Sequence, residues 1–576
     1  MPKRVRVEDA VQWCRKQSPL AFALLQKWAS GRLSAPDLQQ LALAAVQTGI
    51  EDESVQELAS LGARGRHPQN IQRDLLKLAH TSLVPPSIAV TCARLDPKSN
   101  AVDVGQVPMK LPAQWMEMLC CRSLLFDSMF GTERSLKEFW QQARPEQDPR
   151  LRDSPLLKKR NWQQRCVPLL LHGDAASFQN YDSLMTISFR GLLSAQAGMQ
   201  DHLWICSFPK SVTAPGEEGT MHALWSWISW SLQALFDNVW PATDPWGRSL
   251  ASDPMLGSKI GKPVLPNGFF AVLYGYMGDM DEFQKSLGTR HQASDMPCHL
   301  CGCNRTDVPW NDFSSAAKWR SSGAGCQKDL SHPIFKAPGV SIHSLCLDVL
   351  HVLDLGVTAH VIGNVFLAYV LRGARAAQFR TLWSFIQEHQ RQSEHGKPLS
   401  TFALSNFTNP KAISTTYPCL QHLKAAQVRC LVPVALRLAL AEFRDDEDIQ
   451  QVTKNLNLFY TFLYESNIVP TAAQANSGFK SLNRMLQSYQ RLAARAVEEG
   501  KCMWSMVPKH HYSAELCKQG RYLNPRFCWT YGSEDYVGSI AELGSSCLKG
   551  CPTFHMPFGL VEKLDVGLTL ELALRL

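Results

Sequence analysis

At 576 residues, 45% of them hydrophobic and only 19% charged, the chain has room for roughly three or four domains and is too apolar to be mainly disordered. Its net charge of +8 suits a polyanionic partner without requiring one. The 18 cysteines are scattered, several of them in apolar runs (Cys120, Cys121, Cys346, Cys430), and the start is basic and then amphipathic with no apolar signal core. That pattern argues against a secreted disulfide scaffold and reads as a reducing compartment.

Residues 1–140 read as a helical N-terminal region. Val11, Cys14, Leu20, Leu24 and Leu25 recur at helical spacing, as do Leu38, Leu41, Leu43 and Val46, and Ser34-Ala35-Pro36-Asp37 has the form of a helix start. An extended piece at 87–94 and a helix at 112–130 follow. Residues 141–165, polar and proline-rich with the run Lys158-Lys159-Arg160, read as a basic linker. A short apolar strand at 166–171 then ends in His172-Gly173-Asp174, and two more strands are predicted at 184–193 and 202–208. An amphipathic helix at 220–240 carries Trp225, Ile228, Leu232, Leu235 and Phe236 on one stripe, which reads its tryptophans as core. A fourth strand at 269–277 ends in Gly278-Asp279. Three strands, a helix and a fourth strand is the order of an RNase H-like half-sheet, so 166–283 is taken as the first part of such a core. Residues 284–340 are loop-rich and hold Cys298, Cys301, Cys303 and Cys326; 341–500 are helix-compatible, with breaks near 395–417 and 465–478. The most apolar stretch, 345–371, is interrupted by Asp348, His351, Asp354 and His360, which argues against a membrane span. Mixed elements return at 501–576, with a helix at 534–548. The fold class expected is therefore α/β, an RNase H-like core split by a large helical insertion.

Asp174 and Asp279 each follow an apolar strand. If those strands are neighbours, both carboxylates emerge at one sheet edge. A third acid from a helix, Glu534, would complete a cage of hard oxygen ligands for two Mg²⁺ (or Mn²⁺) ions about 3.5–4 Å apart. Taken singly, an Asp at a strand end is usually a turn former and an acid at a helix start usually a cap. Cys298-x-x-Cys301 has the spacing of a zinc-binding pair, and a second pair of ligands is needed. His343 and His351, eight apart, would share a helix face beside Leu347, Leu350 and Leu353, and read as core histidines.

Several of these motifs together resemble CACTA-type (En/Spm-like) DDE DNA transposases. They are Asp279 with Cys298-His299-Leu300-Cys301 beginning 19 residues on, the Asp348-Val349-Leu350-His351 helix, and Asn524-Pro525-Arg526 through Glu534-Asp535-Tyr536-Val537-Gly538. The resemblance runs over about 165–550. It implies that Asp174, Asp279 and Glu534 form the catalytic triad and that the stretch between the last two, which stand 255 positions apart, holds a helical insertion. It also implies that a structural Zn²⁺ is completed by two histidines near the final acid. His511 matches the first; the second position is Glu515, a departure for which His510, Cys303 or Cys326 could substitute. The partners implied are double-stranded DNA, as element ends and as target, and further copies of the chain in a homo-oligomer acting in the nucleus. Lys158, Lys159 and Arg160 before the first core strand, and Lys509 and Arg526 before the final acid, are the candidate phosphate contacts. The rivals are a transposase-derived protein that binds DNA or protein without catalysis, and a zinc-containing interaction protein with no nucleic-acid role.

Overall fold

Seven strands organise the molecule in a computed structural model, which describes residues 7–79, 83–195, 198–216, 218–323, 331–392, 399–548 and 551–576. β1 (Ile88–Leu95) and β2 (Val102–Met109) form an antiparallel hairpin. β3 (Cys166–Gln179), β4 (Asp182–Gly191), β5 (Leu203–Pro209), β6 (Phe270–Met277) and β7 (Leu345–Cys346) form a mixed sheet in the order β5-β4-β3-β6-β7. β3, β4 and β5 pair antiparallel; β6 and β7 run parallel to β3. Burial explains the composition of the centre: β6 is buried at every position, as a strand covered on both faces must be.

β3 is longer than its apolar run. Its ladder with β4 continues through Asp174 to Gln179, so Asp174 lies inside the strand and not beyond its end. The continuous apolar run stops at Leu171, and beyond it only Phe178 is a buried apolar residue, so hydropathy hides a strand whose backbone pairing persists. The helix Thr220–Asp237 packs on the β6 side, where Trp225 meets Tyr276 edge-on at 5.4 Å. The helix Tyr531–Ser546 packs on β3 and β4.

Two buried apolar clusters divide the chain. The first joins the N-terminal helices, the sheet and the helices Tyr531–Ser546 and Met556–Arg575. The second draws only on residues between Cys298 and Cys517 and is built from helices, chiefly Ala359–Val370, Val432–Glu442, Glu447–Glu465 and Ala472–Glu498. Leu350–Val370 is long and apolar enough to cross a membrane, but 83% of its most apolar window is buried in this cluster.

Four expectations are corrected here. The stretch 141–165 is not an open linker: Arg150 and Asp148 form a buried bidentate ion pair, and Leu151 and Leu156 join the core. Residues 112–130 form two helices, Pro112–Cys120 and Ser123–Phe130, because Arg122 leaves helical geometry (φ −132°, ψ 82°). The final segment is helical from Pro508, and its first helix, Pro508–Gln519, packs Tyr512, Leu516 and Cys517 into the second cluster, while Gln519 at its end donates to the Leu345 carbonyl of β7. His343 and His351 share no helix face, since β7 separates them.

Candidate active site

Strand register brings the first two acids to one edge. β3 and β6 run parallel with His172 opposite Met277, and Asp174 and Asp279 each follow two residues later. Asp279, two residues past the end of β6, caps the helix Met280–Leu287, its Oδ1 accepting from the Glu282 amide at 2.6 Å. Gly173, between His172 and Asp174, faces the other side, where an added Cβ would lie 2.4 Å from the Tyr276 hydroxyl. A side chain there would have to displace the Tyr276 hydroxyl from its bond to Glu282.

The third acid arrives from far along the chain. Glu534 sits in the first turn of Tyr531–Ser546, the helix laid across β3 and β4. Ligand atoms of His172, Asp174 and Glu534 all lie within 4.8 Å of one another. Asp279 does not join that trio, but it is near enough for its charge to raise the Asp174 pKa. Burial is the larger cause of that rise, and a hydrogen bond from the Ala175 amide opposes it. Burial, then the charge of Asp174, pushes Glu534 up to about 8. The two carboxyls thus face each other at close range, with ligand oxygens no more than 4.8 Å apart. Two acids crowded in this way want either a shared proton or a cation.

Asp348 and His351 come from the helical half. Asp348 is buried and accepts from the amides of Leu350 (3.1 Å), His351 (3.1 Å) and Thr530 (3.0 Å), from the Thr530 hydroxyl (2.9 Å) and from His351 Nδ1 (2.7 Å). His351 Nε2 then stands 3.9 Å from Glu534 Oε1. Burial opposes the charge on His351, but the bond to Asp348 and the nearby Glu534 and Asp279 outweigh it and raise its pKa to about 9. His351 is thus part of the site and not a core histidine. Asp279, Asp348, His351 and Lys509 line one cleft of about 130 Å³. Gly356 makes room for the Lys509 stem, which would lie 2.8 Å from a Cβ there.

The cationic candidates divide. Lys509 reaches the cleft. Lys158, Lys159 and Arg160 do not: Lys159 donates to the Phe236 carbonyl and lies over the Phe236 and Phe270 rings, at the end of β6 opposite Asp279. Arg526 stacks on Tyr464 and Trp529 and lines a separate cavity of about 320 Å³ with Arg190, His202 and Ser533.

A second cluster gathers Cys298, Cys301, Cys303 and His511, all buried, with ligand atoms within 4.8 Å of one another. His511 Nε2 lies 3.2 Å from Cys301 Sγ, while its Nδ1 meets the Trp310 carbonyl at 2.9 Å, which leaves Nε2 to face the sulfurs. Hydrogen bonds from Cys298 and Cys303, and then His511, draw the Cys301 thiol far down. Three thiols and an imidazole fit a tetrahedral Zn²⁺. Glu515 is not in the set: its Oε1 is 3.9 Å from His511 Nε2 and takes Lys518 at 2.8 Å instead. Of the alternatives, Cys303 replaces it, His510 bonds back to Val507, and Cys326 lies outside the described residues.

Sequence reasoning did not assign His172 or Thr530 to the site. Spacing held the signal for His172, since alternate strand residues share a face; nothing local marks Thr530. Compared with known proteins, the chain matches no protein-family model and no curated protein sequence.

Proposed function

We propose that this chain cleaves DNA strands and transfers the freed 3′ ends by two-metal-ion phosphoryl transfer, as a DDE transposase does. The reading rests on one observation: Asp174 and Glu534, on elements far apart in sequence, meet beside Asp279 at the edge of a mixed sheet. The strand order β5-β4-β3-β6-β7, three antiparallel strands followed by parallel additions, supports an RNase H-like core, and the separate apolar cluster between Cys298 and Cys517 supports a helical insertion.

Asp174, Glu534 and Asp279 would hold the ions, which when bound activate a water or 3′-hydroxyl and stabilise the leaving oxygen. Asp348 fixes His351 and Thr530, and through them the position of Glu534. Lys509 brings positive charge to the cleft for a phosphate. In this reading the Cys298, Cys301, Cys303 and His511 site holds structural Zn²⁺, and the protein works on double-stranded DNA in the nucleus as a homo-oligomer.

Supercoiled plasmid incubated with Mg²⁺ or Mn²⁺ tests the reading. Nicking and linearisation are expected from the native protein and not from Asp279→Ala. A second reading, DNA or protein binding without catalysis, is favoured by the engagement of the Asp279 carboxylate as a helix cap. Equal activity or equal inactivity of the two proteins leaves only that reading.

A further inference from the structure

His172 is the one member of the carboxylate cluster without an evident occupation. It lies two residues before Asp174 on β3, so both side chains leave the same face of the strand. Its ring is 1% exposed, and neither nitrogen has a hydrogen-bond partner. Its neighbour His202, 6.4 Å away ring to ring, makes the contrast. That imidazole is equally buried yet meets Ser188 Oγ through Nδ1 and Ser533 Oγ through Nε2, both at 3.3 Å. One imidazole is satisfied by the fold, and the other is buried beside two carboxylates with neither nitrogen bonded. A buried polar group left in that state calls for a missing partner. Ligand atoms of His172, Asp174 and Glu534 are mutually within 4.8 Å, so a single ion between them is within reach of all three.

We propose that His172 is a direct nitrogen ligand of the ion held by Asp174 and Glu534, which makes this a mixed nitrogen–oxygen site for a Mn²⁺-class cation in preference to Mg²⁺. Imidazole suits first-row transition ions, whereas Mg²⁺ takes oxygen. The inference builds on the proposed carboxylate metal site and adds its ligand set and metal preference.

The test is spectroscopic. Full-length, zinc-replete protein is loaded with Mn²⁺ alone and examined by pulsed electron paramagnetic resonance for coupling to a directly bound ¹⁴N. Coupling is expected in the native protein and in His351→Gln, which removes the other histidine beside Glu534, and is expected to vanish in His172→Leu. Calorimetry should show Mn²⁺ affinity falling by about tenfold or more in His172→Leu. Mg²⁺ affinity should change much less, so the preference for Mn²⁺ collapses. If His172→Leu does not fold, ¹⁵N-histidine labelling of His351→Gln decides the point, since a nitrogen coupling that switches isotope there has no other source in the cluster. Mn²⁺ bound without nitrogen coupling, or with coupling retained in His172→Leu, overturns the inference and leaves the carboxylate site standing. Mn²⁺ binding that is absent, or unchanged by Asp174→Asn, overturns the carboxylate site itself.

Discussion

Asp348 shows how one buried side chain can organise a site without joining its chemistry. Every bond it makes is accepted, five in all counting both from Thr530 and both from His351. Asp348→Asn would turn an NH₂ toward donors that need an acceptor. We expect it to destabilise the protein by roughly 2–4 kcal/mol in chemical denaturation, from lost charged hydrogen bonds and unmet donors. It should also lower the His351 pKa from about 9 toward its ordinary value in an NMR titration of metal-free protein. The sign for stability follows. A histidine raised on folding contributes fully below its unfolded pKa of about 6.5 and loses that contribution as pH rises through about 9. The stability gap between native protein and Asp348→Asn should therefore narrow between those limits; a gap independent of pH would show that Asp348 does not act through His351. The proposed zinc site gives a second residue-scale prediction. Cys303→Ser should lower bound zinc well below one per chain, while Glu515→Gln keeps it, because Glu515 is held by Lys518. Glu515 misled because His511 and Glu515, four apart, do share a helix face; the third thiolate came instead from the loop, two residues past Cys301.

The elements were legible where apolar residues run together or recur at helical spacing, and illegible where polar residues are held by specific partners. β6 is written in its unbroken apolar run and the helix Thr220–Asp237 in its apolar stripe. The far half of β3 is not, since its pairing with β4 is a backbone matter that side-chain hydropathy does not record. Nor is the packing of 141–165. Asp148 takes Arg150 through both oxygens at 2.8–3.1 Å and also accepts from the Tyr274 hydroxyl at 3.0 Å, and the guanidinium lies 4.8 Å from the Tyr274 ring. A charged pair inside the stretch expected to be a linker thus anchors the segment to β6. Asp148→Ala would leave Arg150 charged and buried, at a cost of about 3–5 kcal/mol. A denaturation midpoint unchanged in that variant would mean the segment is held by its leucines alone.

At the scale of the whole molecule, the candidate site is assembled across the boundary between the two apolar clusters. Asp174 and Glu534 stand on elements of the first; Asp348, His351 and Lys509 are carried by the second. The sequence announced the acids but not this division of labour, because nothing local says which distant helix will lie over the sheet edge. The Cys298, Cys301, Cys303 and His511 cluster, the proposed zinc site, sits on the second side of the boundary and ties the loop at Cys298–Cys303 to the helix Pro508–Gln519, the same helix that carries Lys509 in its first turn. Free energy of zinc binding is then free energy for holding that helix in place. Stripping zinc with a thiol-competent chelator should lower the melting temperature and speed proteolysis within 284–340. It should also suppress Mn²⁺-supported plasmid nicking although no carboxylate has been touched, and readdition of zinc should restore all three. A chelated protein that melts earlier but nicks at the native rate would show that the helical half stabilises the chain without shaping the cleft.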